Sequence, residues 1–129
     1  VLLGLGVAFW VSGVVGVHFL APLGVFSGRW SWALLVGTGP AAWGTVRLIK
    51  RVSGVAGGAL PGAVAMVSMP ALLLDGVAMT WAPFVYVGDA AAQRAVGAWL
   101  LWFVGVSLVV AFLRARAGAP TRSAAPAPQ

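Results

Sequence analysis

The chain has 129 residues, 61% of them hydrophobic and 8% charged, against roughly 45–50% apolar and about 25% charged in soluble domains. A small soluble domain buries only about 60–70% of the surface its unfolded chain exposes, so this composition excludes a soluble fold and predicts an integral membrane protein. Eight Lys and Arg against two Asp and Glu give a net charge of +6. These cations punctuate apolar runs instead of lining a polar face, which argues against a nucleic-acid binder and fits loop charges that orient helices in a bilayer.

The first run, Val1 to Ser27, has no formal charge and one titratable side chain, His18. Nothing basic precedes it and it is too long for a signal-peptide core, so it is expected to stay as a first transmembrane helix over about residues 3–26. Its start on an apolar Val fits either an alternative start codon or a truncated N-terminus. Arg29 marks the first turn, and Trp30 to Val46 is a second run that Arg47 can lengthen by snorkelling, giving a helix over about 30–48. Pro40, beside Gly37 and Gly39, predicts a kink there.

Arg47, Lys50 and Arg51 form the densest cationic turn. The following apolar stretch is longer than one span needs and too short for two, so it is read as one helix over about 55–81, then an interfacial segment Ala82 to Gly88 with Phe84 and Tyr86. Gly54, Gly58 and Gly62 recur at four-residue spacing. They form either a helix-packing seam, within the chain or between copies, or a chance match among 18 glycines. Pro61 and Pro70 are expected to kink the same helix. Asp89 reads as the N-cap of a fourth helix over about 91–113, which ends at Arg114 and Arg116. The Ala/Pro/Ser-rich stretch 114–129 is expected to be a disordered cytoplasmic tail on a single domain, residues 1–113.

Four spans place Arg47, Lys50, Arg51, Arg114, Arg116 and Arg122 on one side and Arg29 and Arg94 on the other. The positive-inside rule then puts both termini in the cytoplasm and sets an all-α four-helix bundle, N-in and C-in. Trp30, Trp32 and Trp81 fall at the outer interface as anchors, whereas Trp10, Trp43, Trp99 and Trp102 lie deeper as packing or lipid-facing residues. Arg outnumbers Lys seven to one and Asn is absent. That points to GC-rich coding and a bacterial inner membrane.

His18 and Asp75 are the ionisable groups inside spans, where a charge is costly. Counted from the outer helix ends their depths differ by about 3 Å, so pairing is open to them and is not settled by the sequence. Such a pair is either a proton-responsive couple or a structural contact locking the first helix to the third. One His and one Asp fall short of a metal site, and the absence of Cys removes thiolate ligands and nucleophiles. No Gly-x-Ser-x-Gly elbow, nucleotide loop or paired carboxylates occur, so neither an enzyme nor a bound cofactor is expected.

The stretches Leu60-Pro61-Gly62, Met69-Pro70-Ala71-Leu72-Leu73-Leu74-Asp75-Gly76-Val77-Ala78, Ala82-Pro83-Phe84-Val85 and Val96-Gly97-Ala98-Trp99-Leu100-Leu101-Trp102 resemble a bacterial family of small four-span membrane proteins known only as a domain of unknown function. The resemblance covers about residues 60–112. It implies a family-level role for Asp75 and Trp99, and an architecture without an activity. Ala71 and Leu72 stand where the family pattern has Gly-Met, and the first two spans match only in general character.

Two functions are therefore expected, the first ranked ahead of the second. One is a non-catalytic small membrane subunit or scaffold that associates with a membrane protein or with copies of itself. The other is a small proton-linked transporter, similar in size and span count to the small multidrug exporters. That family uses a membrane-embedded Glu in its first helix; this chain has no Glu, so Asp75 would substitute from the third. A cavity reaching Asp75 would favour transport, and a sealed, fully paired Asp75 would favour the scaffold.

Overall fold

A computed structural model describes residues 1–26, 28–55 and 57–118. The described residues form four α-helices: α1 (Leu2–Leu20), α2 (Trp30–Ser53), α3 (Leu60–Trp81) and α4 (Ala90–Ala117). Three short 3-10 turns, Ala21–Leu23, Gly57–Ala59 and Pro83–Val85, lie in the connections. Of the four helices, α1, α3 and α4 are long and apolar enough to cross a membrane. The remaining one, α2, falls short because Arg47, Lys50 and Arg51 close it and Ser, Thr and Gly dilute its apolar stretch.

The helix ends follow backbone chemistry more closely than hydropathy. α1 stops at Leu20, six residues before the expected Phe26, where Pro22 opens a 3-10 turn that closes on Gly24 in the left-handed region. α2 ends on Gly54, also left-handed (φ 67°), whose N–H bonds the Lys50 carbonyl. That cap holds α3 back to Leu60, with Pro61 in its first turn, where the missing N–H costs no helical bond. Pro61 thus starts a helix instead of kinking one. Pro40 and Pro70 do lie inside helices, and both helices continue through them. The Asp89 carboxylate accepts from the Ala92 N–H at 2.8 Å and caps α4. α4 runs through Arg114 and Arg116 to Ala117, so the first residues of the expected tail are helical. Residues 119–129 of that tail, with Arg122, lie outside the described residues.

Two core clusters show the helices alternating in direction. At one end Val46, Ile49, Leu60, Ala63, Val64, Val67 and Ala111 pack together with Leu2, Leu5 and Phe9. That end joins the start of α1, the end of α2, the start of α3 and the end of α4. At the other, Val17, Phe26, Ala78, Tyr86 and Val96 pack with Trp10, Leu34 and Trp99. The main helix contacts are α1 with α3, then α2 with α4 and α3 with α4.

Among the described glycines, Gly6 lies closest to a neighbouring helix. A Cβ built there would meet the Val67 carbonyl oxygen at 2.3 Å and the Pro70 Cγ at 2.4 Å. Gly54, Gly58 and Gly62 form no packing seam within the chain. They fall on a helix cap, a 3-10 turn and the first turn of α3, all three are exposed, and a Cβ on any of them would meet nothing within 4 Å.

Candidate functional site

A partly enclosed cavity of about 270 Å³ lies between the two core clusters, bounded by all four helices. Phe9, Trp10, Trp99 and Phe103 supply much of its wall, and Asp75 and Tyr86 sit together on its lining. Ser12, Thr45, Ser68 and Ser107 add hydroxyls. Two of these are already used: Ser12 donates to the Ala8 carbonyl (2.9 Å) and Ser107 to the Phe103 carbonyl (2.8 Å). The cavity exceeds the roughly 150 Å³ void that accepts benzene and approaches the lower end of small-molecule pockets, near 300 Å³.

Asp75 lies on α3, six residues before the helix ends, and the chain then turns back through Ala82 and Pro83. This return brings Tyr86, 2% exposed, against the carboxylate, and its phenol O–H donates to Asp75 Oδ1. Burial, with the adjacent Asp75, pushes the Tyr86 phenol well above its ordinary value. The indole N–H of Trp10 comes within reach of both groups. It is buried, and among the described residues it meets no partner in full hydrogen-bond geometry.

Trp99 is held more firmly. Its indole N–H donates to Thr38 Oγ1 at 3.2 Å, and Thr38 in turn donates to the Leu34 carbonyl at 2.9 Å. Phe26 meets the ring edge-on at 5.8 Å between centroids, and Phe103 lies tilted at 5.9 Å. These contacts fix one aromatic wall.

His18 is not part of this site. The shortened α1 puts it in the last turn, exposed and without a hydrogen bond or ion pair to Asp75 among the described residues. Each helical residue turns by about 100°, and here buried Val17, the neighbour, takes the inward direction. The candidate His18–Asp75 pair is replaced by Tyr86–Asp75. Tyr86 carries the chain's single phenol, in an otherwise apolar segment; sequence reasoning placed it only at the interface, and the tendency of buried phenols to find a partner is the one signal that pointed further.

Trp30, Trp32 and Trp81 are exposed at the helix ends on the Tyr86 side of the bundle. Arg47, Lys50 and Arg51 at the end of α2, with Arg114 and Arg116 at the end of α4, occupy the opposite side. Comparison with known protein families, with curated proteins and with solved structures gives no match.

Proposed function

We propose that this is a small proton-linked transporter of the bacterial cytoplasmic membrane, with Asp75 as its membrane-embedded titratable group and the cavity as its binding site. The observation that carries this reading is an aromatic-walled cavity that reaches the single carboxylate within the helical bundle. Aromatic faces and a carboxylate together suit a small apolar molecule with an amine or other positively charged donor. A carboxylate that alternates between binding a proton and binding such a molecule links the two movements.

All four helices cross the bilayer in this reading. α2 has 24 residues, about 36 Å at 1.5 Å per residue, enough to span roughly 30 Å of hydrocarbon. The cationic ends of α2 and α4 face the cytoplasm, and Trp30, Trp32 and Trp81 sit in the opposite headgroup region. A resemblance to the four-span family would give Asp75 and Trp99 a family-level role, and both residues line the cavity. No catalysis, metal or cofactor enters this reading.

The test is uptake of tryptamine into proteoliposomes under an imposed pH gradient. Accumulation that collapses with the gradient and is lost in Asp75→Asn is the expected result. Gradient-driven uptake that survives Asp75→Asn, or none in the intact chain, refutes it. A second reading, a non-catalytic subunit or scaffold that associates with copies of itself or with another membrane protein, is favoured by the Tyr86–Asp75 bond, which ties the end of α3 to the segment that follows. Under it, Asp75→Asn changes stability alone.

A further inference from the structure

Two cations from different helices converge on one ring. The guanidinium carbons of Arg47 on α2 and Arg114 on α4 lie 5.3 Å and 4.8 Å from the Trp43 ring centroid. They are thus no more than about 10 Å apart, close to the screening length of about 8 Å at physiological ionic strength, and their like charges repel. The exposed Lys50, Arg51 and Arg116 at the same end add to that field.

No acidic side chain relieves it. The chain has only two, and Asp75 is engaged by Tyr86 while Asp89 caps the start of α4. Asp89 precedes Arg114 by 25 residues, about 37 Å along the helix. Asp75 is 15 residues past the start of α3, about 22 Å from the cationic end. The repelling pair is held on Trp43, itself 44% exposed, with exposed Leu48 and Leu113 beside the two arginines. A site of this kind presents a cationic fork and an apolar surface together.

We propose that Arg47, Trp43 and Arg114 bind the phosphate of an anionic membrane phospholipid. The two guanidiniums share the phosphate oxygens, in the geometry that favours Arg over Lys for phosphate. The indole lies alongside at the headgroup level, and the acyl chains continue over the apolar helix surface. The negative phosphate offsets the repulsion that the protein alone leaves in place, so the bound lipid ties α2 to α4. This inference is independent of the cavity and of any transport activity.

The test uses the full chain in dodecyl maltoside, titrated with phosphatidylglycerol or phosphatidylcholine and read by native mass spectrometry and thermal unfolding. The intact protein is expected to prefer phosphatidylglycerol by about tenfold or more and to unfold at higher temperature in its presence. Arg47→Gln with Arg114→Gln abolishes the preference, whereas Arg29→Gln with Arg94→Gln, at the other end, keeps it. Equal binding of the two lipids by the intact protein overturns the proposal without recourse to any variant. So does an unchanged preference in the Arg47/Arg114 variant, or full displacement of the lipid by millimolar inorganic phosphate, which would mark a free-anion site.

Discussion

Gly6→Ala is the sharpest perturbation the packing offers, because it adds a single methyl at the tightest glycine contact among the described residues. Ordinary contact begins at 3.4 Å, but the new Cβ would sit 2.3 Å from the Val67 carbonyl oxygen and 2.4 Å from Pro70 Cγ. Neither is the free end of a flexible chain, since one is helix backbone and the other a closed ring. α1 and α3 must therefore separate by about 1 Å, and overpacking of this kind costs about 1–3 kcal/mol. Ala gains roughly 0.5–1 kcal/mol over Gly in helix propensity, which leaves a net loss of about 0–2.5 kcal/mol, centred on about 1 kcal/mol. Gly4→Ala supplies the reference, because a Cβ there meets nothing within 4 Å, and it should be neutral or stabilising by up to about 1 kcal/mol. Reversible SDS unfolding in mixed micelles measures both. Equal stability for the two variants would refute the close α1–α3 approach.

Tyr86→Phe removes the hydrogen bond to Asp75 and should cost about 1–2 kcal/mol. In a double-mutant cycle with Asp75→Asn the coupling should reach about 1 kcal/mol, and additivity would show that the two do not touch. Tyr86 also gives a pH signature, since burial first and then Asp75 raise its phenol above the ordinary value of about 10. Stability is fully present below that ordinary value, which the unfolded chain keeps. It falls as pH rises past about 10, because the native state retains a proton that the unfolded state has lost. Phenolate absorbance reports this one residue, as Tyr86 is the sole Tyr; ionisation at the ordinary value would contradict its burial. Trp99→Phe leaves the ring stack but takes the donor from Thr38. It should destabilise by about 1 kcal/mol, and a Thr38→Val background should largely absorb the loss. Asp89→Ala removes the α4 cap at a cost of about 1 kcal/mol, and no change in unfolding would place the helix start elsewhere.

Uncharged runs between cations were enough to count the helices, and Asp89 before an apolar run was enough to find a cap. The end of α1 and the start of α3 were not legible in the same way, because no charge interrupts the chain through Val25 and Phe26 or from Val52 to Leu60. What sets those boundaries is backbone geometry at Pro22, Gly24, Gly54 and Pro61. The error then carried to the site. An α1 drawn to Phe26 sets His18 at the depth of Asp75, whereas an α1 ending at Leu20 leaves it exposed in the last turn. Asp75 itself was legible as a charge in an apolar stretch, but its partner was not. Tyr86 reaches it only because the chain folds back after α3, and one-dimensional spacing holds no trace of that return. Gly6 was hidden for a related reason. Repeated glycines draw notice, yet close approach requires one glycine that faces a carbonyl and a proline ring, and no repeat.

α1 is attached to the rest of the molecule mainly along one line, its face on α3, and touches α2 and α4 only marginally. Three neighbours would have made it a wall; one makes it a door. Phe9, Trp10, Ser12 and Gly13 are carried on that door. Loosening the Gly6–Pro70 contact would free α1 without breaking the contacts that join α2, α3 and α4. Gly6 does not line the chamber, so a methyl added there weakens that one seam while leaving the chamber's own residues unchanged.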